Sequence, residues 1–167
     1  PDGTADIVKG LQKEFDGKLH IEQREGKLGL GTAYIHGFKW ALKRDYEFIF
    51  EMDCDFSHNP DDLIRLRQAC IDEPADLAIG SRYVKGGGVE NWPKKRVWMS
   101  YYASTYVRLV LGIKIKDTTA GFKCYRRKVL EAIHFDTIRL THSPNEKETR
   151  FEHTVCLLGR LLEHLLH

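Results

Sequence analysis

Short apolar runs alternate with stretches of helical apolar spacing along most of the chain. The clearest run, residues 48–52, has the length and bulk of a buried strand in a parallel sheet. A second short run, residues 76–80, predicts another buried strand. Between the two runs, apolar residues recur on one face at helical spacing, which predicts a helix over residues 60–72.

The remaining segments continue this alternation. We expect helices over residues 4–15, 32–44, 94–111 and 127–133, and further strands over residues 18–23, 123–126 and 137–140. Thr4 is the expected N-cap of the first helix. Strands that alternate with helices from end to end predict an α/β fold, with a mostly parallel sheet flanked by helices.

Both ends of the chain depart from this pattern. A globular domain seldom begins with a turn followed at once by a helix, so we expect that an upstream strand is missing. After residue 140 a polar stretch leads into a leucine-rich helical pattern over residues 151–166. We therefore interpret residues 1–140 as a partial domain, truncated at its N-terminus, and residues 141–167 as an atypical helical tail.

The composition is that of an ordinary soluble globular chain. The 167 residues suffice for one domain with a real core, and 42% of them are hydrophobic and 30% charged. A net charge of +2 is too small to indicate a nucleic-acid partner. We find neither a signal-peptide pattern nor an apolar run of the length that a membrane span needs.

The four cysteines indicate free thiols rather than a disulfide framework. Cys54, Cys70, Cys124 and Cys156 lie far apart and form no C-x-x-C pair. Cys54 falls at a predicted strand end, and Cys70 falls on a predicted helix. This usage is typical of a protein kept in a reducing compartment.

Two carboxylates, Asp53 and Asp55, directly follow the strand predicted over residues 48–52. In open α/β sheets, ligands bind just outside the carboxyl ends of the strands. Mg²⁺ typically takes one or two carboxylates together with substrate phosphates, so this pair can hold a divalent cation. The alternative is that the two acids cap the next helix and face water, and the pattern alone leaves both interpretations open.

Several cations are placed where an anionic partner can meet them. Arg82 follows the strand predicted over residues 76–80, where its planar donors can fork onto a phosphate, although an arginine there can also be a plain surface residue. Three cations, residues 94–96, crowd the first turn of a helix, which is the unfavourable end of the helix dipole. Arg96 and Ser100 are four residues apart on one face and can contact the same phosphate.

The helix predicted over residues 94–111 carries apolar residues around much of its circumference. This distribution is typical either of a helix packed on two sides or of one that meets lipid. The glycine-rich residues 26–31 precede another helix and could cradle a phosphate. Their spacing is neither G-x-G-x-x-G nor a Walker A loop, so we interpret them as a tight connection.

Six short motifs, each weak alone, occur together in one order over residues 1–140. They are Pro1-Asp-Gly-Thr4, Arg24-Glu-Gly-Lys-Leu-Gly-Leu-Gly-Thr-Ala33, Met52-Asp-Cys-Asp-Phe-Ser-His58, Gly80-Ser-Arg-Tyr83, Arg96-x-x-x-Ser100 and Asp117-Thr-Thr-Ala-Gly-Phe122. This set resembles the dolichol-phosphate (polyprenol-phosphate) mannose synthases, within glycosyltransferase family 2. The resemblance implies a Rossmann-like GT-A fold and the metal-dependent, inverting transfer of mannose from GDP-mannose to dolichyl or other polyprenyl phosphate.

The same resemblance implies a role for each matching residue. Asp53 and Asp55 would bind Mg²⁺ or Mn²⁺ under the donor diphosphate, and Asp55 and Arg82 would act in catalysis. The implied donor site consists of Asp53, Cys54, Asp55 and Arg82, with Cys54 contacting the donor through its backbone. The implied acceptor-phosphate site consists of Arg82, Arg96 and Ser100.

A lipid acceptor also implies a peripheral protein at a membrane surface. The expected location is the cytoplasmic face of the endoplasmic reticulum in a eukaryote, or of the plasma membrane in a prokaryote. Whether a partner subunit supplies a membrane anchor stays open. Because both ends depart from the family pattern, two alternatives also stay open: a related transferase that uses UDP-glucose or another donor, and a catalytically silent module. A splice variant or a frameshift could account for the tail after residue 140.

Overall fold

Helices and short strands alternate from the second helix onwards, as the hydrophobic pattern predicts, but no strand separates the first two helices. The computed structural model describes residues 3–26, 28–55, 57–73, 75–89 and 92–137. The elements are α1 (Thr4–Gln12), α2 (Leu30–Leu42), β1 (Phe48–Glu51), α3 (Asp62–Asp72), β2 (Leu77–Ile79), α4 (Lys94–Leu111), β3 (Lys123–Arg126), α5 (Arg127–Ala132) and a 3₁₀ helix (Phe135–Thr137). The strand predicted over residues 137–140 and the predicted tail lie outside the described residues, apart from Thr137, which ends the 3₁₀ helix.

The three strands form one sheet in the order β1-β3-β2. β1 and β2 run in the same direction, and β3 lies between them and pairs antiparallel with both. The expectation of mostly parallel neighbours is therefore wrong for the described pairs, although the α/β class is right. The reason is long-range, because the chain leaves β2, forms α4, and returns between the first two strands in the opposite direction.

Each face of the sheet carries its own hydrophobic cluster, since neighbouring residues of a strand point to opposite faces. On one face, α2 and α5 pack onto β1 and β3 in a cluster formed by Phe38, Ala41, Ile49, Tyr125, Val129, Leu130, Ile133 and Phe135. On the other face, α3 packs in a cluster formed by Leu66, Cys70, Ala78, Phe122 and Cys124. Two covered faces explain why β1 is apolar from Phe48 to Phe50 and carries a charged residue only at its last position, Glu51.

A charged pair is buried inside the sheet at the C-terminal end of β1. Glu51 of β1 lies directly across from Lys123 of β3, and the two side chains form an ion pair. Only 4% of the Glu51 side chain and 7% of the Lys123 side chain are exposed. Burial and the neighbouring Glu51 raise the pKa of Tyr125 well above its ordinary value.

The first part of the chain differs most from the sequence predictions. Residues 18–23 form no strand, because a strand needs a hydrogen-bonded neighbour and the described sheet offers none there. Thr4 is not the N-cap of α1; Gly3 takes that position with a φ of 83°, which suits glycine. α1 also ends earlier than predicted, at Gln12, before a turn that contains Gly17 with a φ of 70°.

Three cysteines lie in the described part of the chain, and all three are free thiols, as predicted. Cys54 is exposed, whereas Cys70 and Cys124 are fully buried with their sulfur atoms 3.8 Å apart. Burial and the nearby Cys70 raise the pKa of the Cys124 thiol to about 12. Cys156 lies outside the described residues.

Candidate functional site

Three loops meet at one edge of the sheet. β1 and β2 run in the same direction, and Lys123, the first residue of β3, pairs with both Glu51 and Ile79. The segments that follow β1 and β2 must therefore lie beside the segment that precedes β3. These segments, residues 53–55, 57–58, 80–83 and 117–122, carry most of the sequence-predicted site, and we call this edge the candidate site.

Phe122, in the third loop, contacts a residue of each of the other two loops. Gly80 donates its backbone N–H to the Phe122 carbonyl oxygen at 2.9 Å, and the His58 ring stacks on the Phe122 ring at 4.9 Å between centroids. A Cβ atom added at Gly80 would lie 2.5 Å from the Phe122 ring. The glycine of the Gly-Ser-Arg-Tyr motif is thus required by close packing, and it brings the next residues against the 117–122 loop.

Arg82 and Asp117 form a bidentate ion pair in this site. The guanidinium donates from Nε to Oδ2 and from Nη2 to Oδ1, both at 2.7 Å, and the Arg82 backbone N–H donates to Oδ2 at 3.0 Å. The Asp117 side chain is fully buried and only 14% of the Arg82 side chain is exposed. The paired fork is the strongest hydrogen-bonded geometry open to an arginine, so it fixes the guanidinium plane.

The two partners also shift each other's ionisation. Burial by itself would raise the pKa of Asp117, but the hydrogen bonds and charge of Arg82 outweigh it and hold that pKa below its usual range. Burial likewise opposes the charged form of Arg82, and Asp117 keeps the pKa of the guanidinium above its ordinary value. Both groups therefore stay charged at neutral pH.

A threonine hydroxyl links this ion pair to α4. Arg82 donates from Nη2 to the Thr119 hydroxyl at 2.7 Å, and the Ser100 and Thr119 hydroxyls hydrogen-bond at 3.1 Å. One turn further along α4, the buried Ser104 accepts a hydrogen bond from Thr118 at 3.4 Å. Arg82 and Ser100, which the sequence analysis assigns to one acceptor site, are thus joined through a single side chain.

Arg96 reaches the same site through an aromatic ring. Its guanidinium carbon lies 3.8 Å from the centre of the Trp92 ring, and that of Arg82 lies 5.0 Å from the same centre. Arg82 also lies 5.6 Å from the Tyr83 ring centre. The structure therefore brings together all three residues predicted for the acceptor phosphate.

The two acids of the Asp-Cys-Asp motif lie just after β1. Asp55 is exposed, and it accepts hydrogen bonds from the backbone N–H and the hydroxyl of Ser57, both at Oδ1. The Ser57 hydroxyl, followed by its backbone N–H, holds the pKa of Asp55 below its usual value. Asp53 is half-buried, accepts a long hydrogen bond of 3.5 Å from Tyr34, and contributes to the raised pKa of Arg82.

These acids do not cap the following helix. α3 begins at Asp62, its N-cap position is Asp61, and no side chain caps it there. The capping part of that alternative is therefore wrong, although Asp55 is exposed to water as the alternative predicts. Among the described residues, no group of three or more histidine, cysteine or acidic side chains could hold a metal. Two carboxylates are a donor set of the kind that Mg²⁺ takes from proteins when water and substrate phosphates supply its remaining ligands.

Side-chain hydrogen bonds join the described part of the glycine-rich segment to the start of α2. Arg24 donates to the Thr32 hydroxyl at 2.6 Å and, at 3.5 Å, to the carbonyl oxygen of Gly29. Thr32 in turn donates to the carbonyl oxygens of Leu28 and Gly29, at 2.7 Å each. The Arg24 side chain thus links the residues before α2 to the first turn of that helix.

Tyr34, Trp92, Asp117 and Thr119 are among the residues of the site for which the sequence predicted no role. Asp117 and Thr119 belong to a motif that carries the family resemblance, but their partners lie far away in the sequence. A signal for Asp117 did exist, because an arginine held at a strand end beside a core needs a counter-charge. Nothing in the sequence pattern pairs Trp92 with two arginines.

Comparisons with known proteins agree with the motif set. The family description "Glycosyl transferase family 2" matches residues 1–134. "Polyprenol monophosphomannose synthase" of Mycolicibacterium smegmatis is 49% identical over 138 residues, which are 83% of this chain and 52% of that protein. "Undecaprenyl-phosphate mannosyltransferase" of Micrococcus luteus is 46% identical over 138 residues, which are 83% of this chain and 56% of that protein. The chain thus spans about half the length of these relatives.

Proposed function

Because the chain belongs to glycosyl transferase family 2, we propose that it carries the catalytic core of a polyprenyl-phosphate mannosyltransferase. The names of both relatives support a polyprenyl acceptor and mannose as the transferred sugar. The observation that carries the proposal is the convergence of Arg82, Arg96 and Ser100 through Thr119 and Trp92. Two guanidinium groups and a hydroxyl are the donors that a phosphate monoester needs.

We assign the acceptor phosphate to this group of three donors. Asp117 already binds Nε and Nη2 of Arg82, so the guanidinium meets the phosphate with a fixed plane and a reduced entropic cost. Arg96 adds a second positive charge from the first turn of α4. The acceptor phosphate is already an anion, so its oxygen can attack the sugar without a dedicated general base.

We assign GDP-mannose as the donor, bound beside Asp53, Cys54 and Asp55. The Asp55 carboxylate is ionised at neutral pH, as an exposed aspartate ordinarily is, and both of its hydrogen bonds from Ser57 go to Oδ1. Asp53 and Asp55 would hold Mg²⁺ or Mn²⁺, which when bound neutralises the diphosphate leaving group as a Lewis acid. Attack from the side opposite the diphosphate inverts the anomeric carbon.

Replacing Asp55 by asparagine should weaken Mn²⁺ binding at least tenfold, because the neutral amide loses the charge that a hard cation requires. Electron paramagnetic resonance of free Mn²⁺, with GDP present, measures the affinity directly. Asp72→Asn at the far end of α3 is the matched control, since Asp72 is an exposed acid with no place in the site. Equal Mn²⁺ affinity in the Asp55 variant and the wild type would remove the metal assignment.

The side of α4 that faces away from the core is suited to a membrane surface. Ser104 and Val107 are its buried residues, so the helix packs on one side only in the described structure. Seven large apolar or aromatic residues are exposed: Trp98, Met99, Tyr101, Tyr102, Tyr106, Leu109 and Val110. Three cations, residues 94–96, begin the helix. A basic start and an aromatic body are typical of a helix that lies in a lipid interface.

We therefore propose peripheral attachment through α4 on the cytoplasmic face of a membrane. In the described part of the chain, the helices are too short or too polar to cross a bilayer. The free thiols of Cys70 and Cys124 support a reducing compartment. Attachment at this helix would bring Arg96 and Ser100 to the depth of a lipid phosphate.

The double variant Trp98→Ser/Leu109→Ser should bind anionic vesicles about tenfold more weakly, since 62% of Trp98 and 79% of Leu109 are exposed to enter the lipid. Co-sedimentation with vesicles of phosphatidylcholine and phosphatidylglycerol measures the change. Ile64→Ser is the control, because Ile64 is 75% exposed but lies on α3. An equal loss in the Ile64 variant, or no vesicle binding by the wild type, would exclude α4 as the attachment surface.

A further inference from the structure

The Trp92 ring contacts two arginines that come from different parts of the chain. The guanidinium carbon of Arg96 lies 3.8 Å from the ring centre and that of Arg82 lies 5.0 Å from it. Both distances are within the range of a cation–π contact. The sum of these distances is an upper limit on the separation of the two guanidinium carbons, and within that limit one phosphate can accept hydrogen bonds from both arginines.

The two arginines are held to very different degrees. Arg82 is mostly buried and is fixed by Asp117 and Thr119. Arg96 lies on the exposed first turn of α4, where a long side chain would otherwise sample many rotamers. Stacking on Trp92 restricts Arg96 and brings it towards the fixed guanidinium. Two positive charges that approach one site repel each other, and binding of a phosphate dianion between them offsets that repulsion.

We propose that Trp92 is a positioning residue of the acceptor site, which holds Arg96 beside Arg82 so that both arginines bind the same phosphate. This inference rests on the proposed function and adds to it the residue that couples the two cations. Trp92 acts through the guanidinium groups, so it affects recognition of the acceptor's phosphate and not of its prenyl chain. This role requires no more burial of Trp92 than the half-burial that the structure shows.

The phosphate-specific part of binding can be measured with a pair of short-chain prenyl probes, both added in the same dilute detergent. Farnesyl phosphate and farnesol share one prenyl chain and differ only in the phosphate, so the ratio of their dissociation constants reports the arginine contacts. Calorimetric titration of the full chain gives both constants. Trp92→Leu removes the ring, Trp92→Phe keeps an aromatic face, and Trp98→Leu removes an exposed tryptophan of α4 that contacts Tyr102 instead of an arginine.

Trp92→Leu should lower the preference for farnesyl phosphate over farnesol about tenfold, and Trp92→Phe should lower it less than threefold. Trp98→Leu should leave the preference for farnesyl phosphate over farnesol unchanged, even if it weakens the binding of both probes by the same factor. In an Arg96→Gln background, Trp92→Leu should have little further effect, because the side chain that it positions is gone. Melting temperatures confirm that each variant is folded; if Trp92→Leu unfolds the chain, Trp92→Met, which also removes the ring, replaces it with the same readout.

Two patterns of results would overturn the inference, and they differ in what they say about the proposed function. In the first pattern, Arg96→Gln lowers the phosphate preference but Trp92→Leu does not, or Trp92→Phe lowers it as much as Trp92→Leu. Trp92 then has no positioning role, and the proposed acceptor site is unaffected. If Arg96→Gln leaves the preference unchanged, both the inference and the acceptor site are wrong.

Discussion

Asp117→Asn should lower the free energy of unfolding by about 3 kcal/mol, because it leaves the guanidinium of Arg82 in a mostly buried position without its counter-charge. Removing one partner of a buried ion pair typically costs about 3–5 kcal/mol, and asparagine still offers one hydrogen-bond acceptor. Urea denaturation measures the loss. Asp136→Asn is the control, since Asp136 pairs with Lys39 at the surface and should contribute less than about 1 kcal/mol.

The same variant should also change the acid dependence of stability. The pKa of Asp117 is lower in the folded chain than in the unfolded one, so its contribution is fully present above about pH 4 and is lost as pH falls through the folded-state pKa. Asp117→Asn should therefore lose stability less steeply than the wild type below about pH 4. If the free energy of unfolding falls with the same slope in both proteins as the pH is lowered, the pair of Arg82 and Asp117 does not stabilise the fold.

The second large effect is expected inside the sheet, at Glu51 and Lys123. Lys123→Met should lower the free energy of unfolding by about 3–5 kcal/mol, because it leaves the Glu51 carboxylate buried and unpaired. Glu51→Leu should lower the free energy of unfolding by a similar amount, because it leaves the Lys123 ammonium group buried and unpaired. The double variant should be close to the wild type, since apolar residues can replace a buried ion pair at little cost.

Urea denaturation of both single variants and the double variant measures this cycle. Strong non-additivity is the expected result, with most of the loss restored in the double variant. Losses that simply add would mean that the two side chains act independently, and that the pair seen across β1 and β3 does not form in solution. Neither residue belongs to the proposed substrate site, so the cycle tests the fold alone.

Helices and strands with strong local patterns were predictable from the sequence. α4 and β3 have the bounds that their patterns predict, and β1 differs by one residue. The direction of β3 was not predictable, because it depends on how the chain returns after α4. Residues 18–23 alternate like a strand, but a strand forms only beside a partner, and the local pattern carries no information about one.

The chemistry of the site was predictable where it resides in residue types near strand ends. Asp53, Asp55 and Arg82 are such positions, and Arg96 and Ser100 follow from helical spacing. The pairing of Arg82 with Asp117 crosses 35 residues of sequence, and only the fold brings the two together. The double contact of Trp92 depends on the same three-dimensional arrangement and could not be inferred from spacing.

Calorimetric titration of this chain with GDP-mannose and with UDP-glucose, first with Mn²⁺ and then with a chelator, tests the proposed transferase most directly. We expect saturable binding of GDP-mannose that requires Mn²⁺ and is much weaker for UDP-glucose. Preferential binding of UDP-glucose would exclude mannose transfer as the activity of this site. Binding of GDP-mannose that persists unchanged with the chelator would exclude the role of Asp53 and Asp55 in holding a metal.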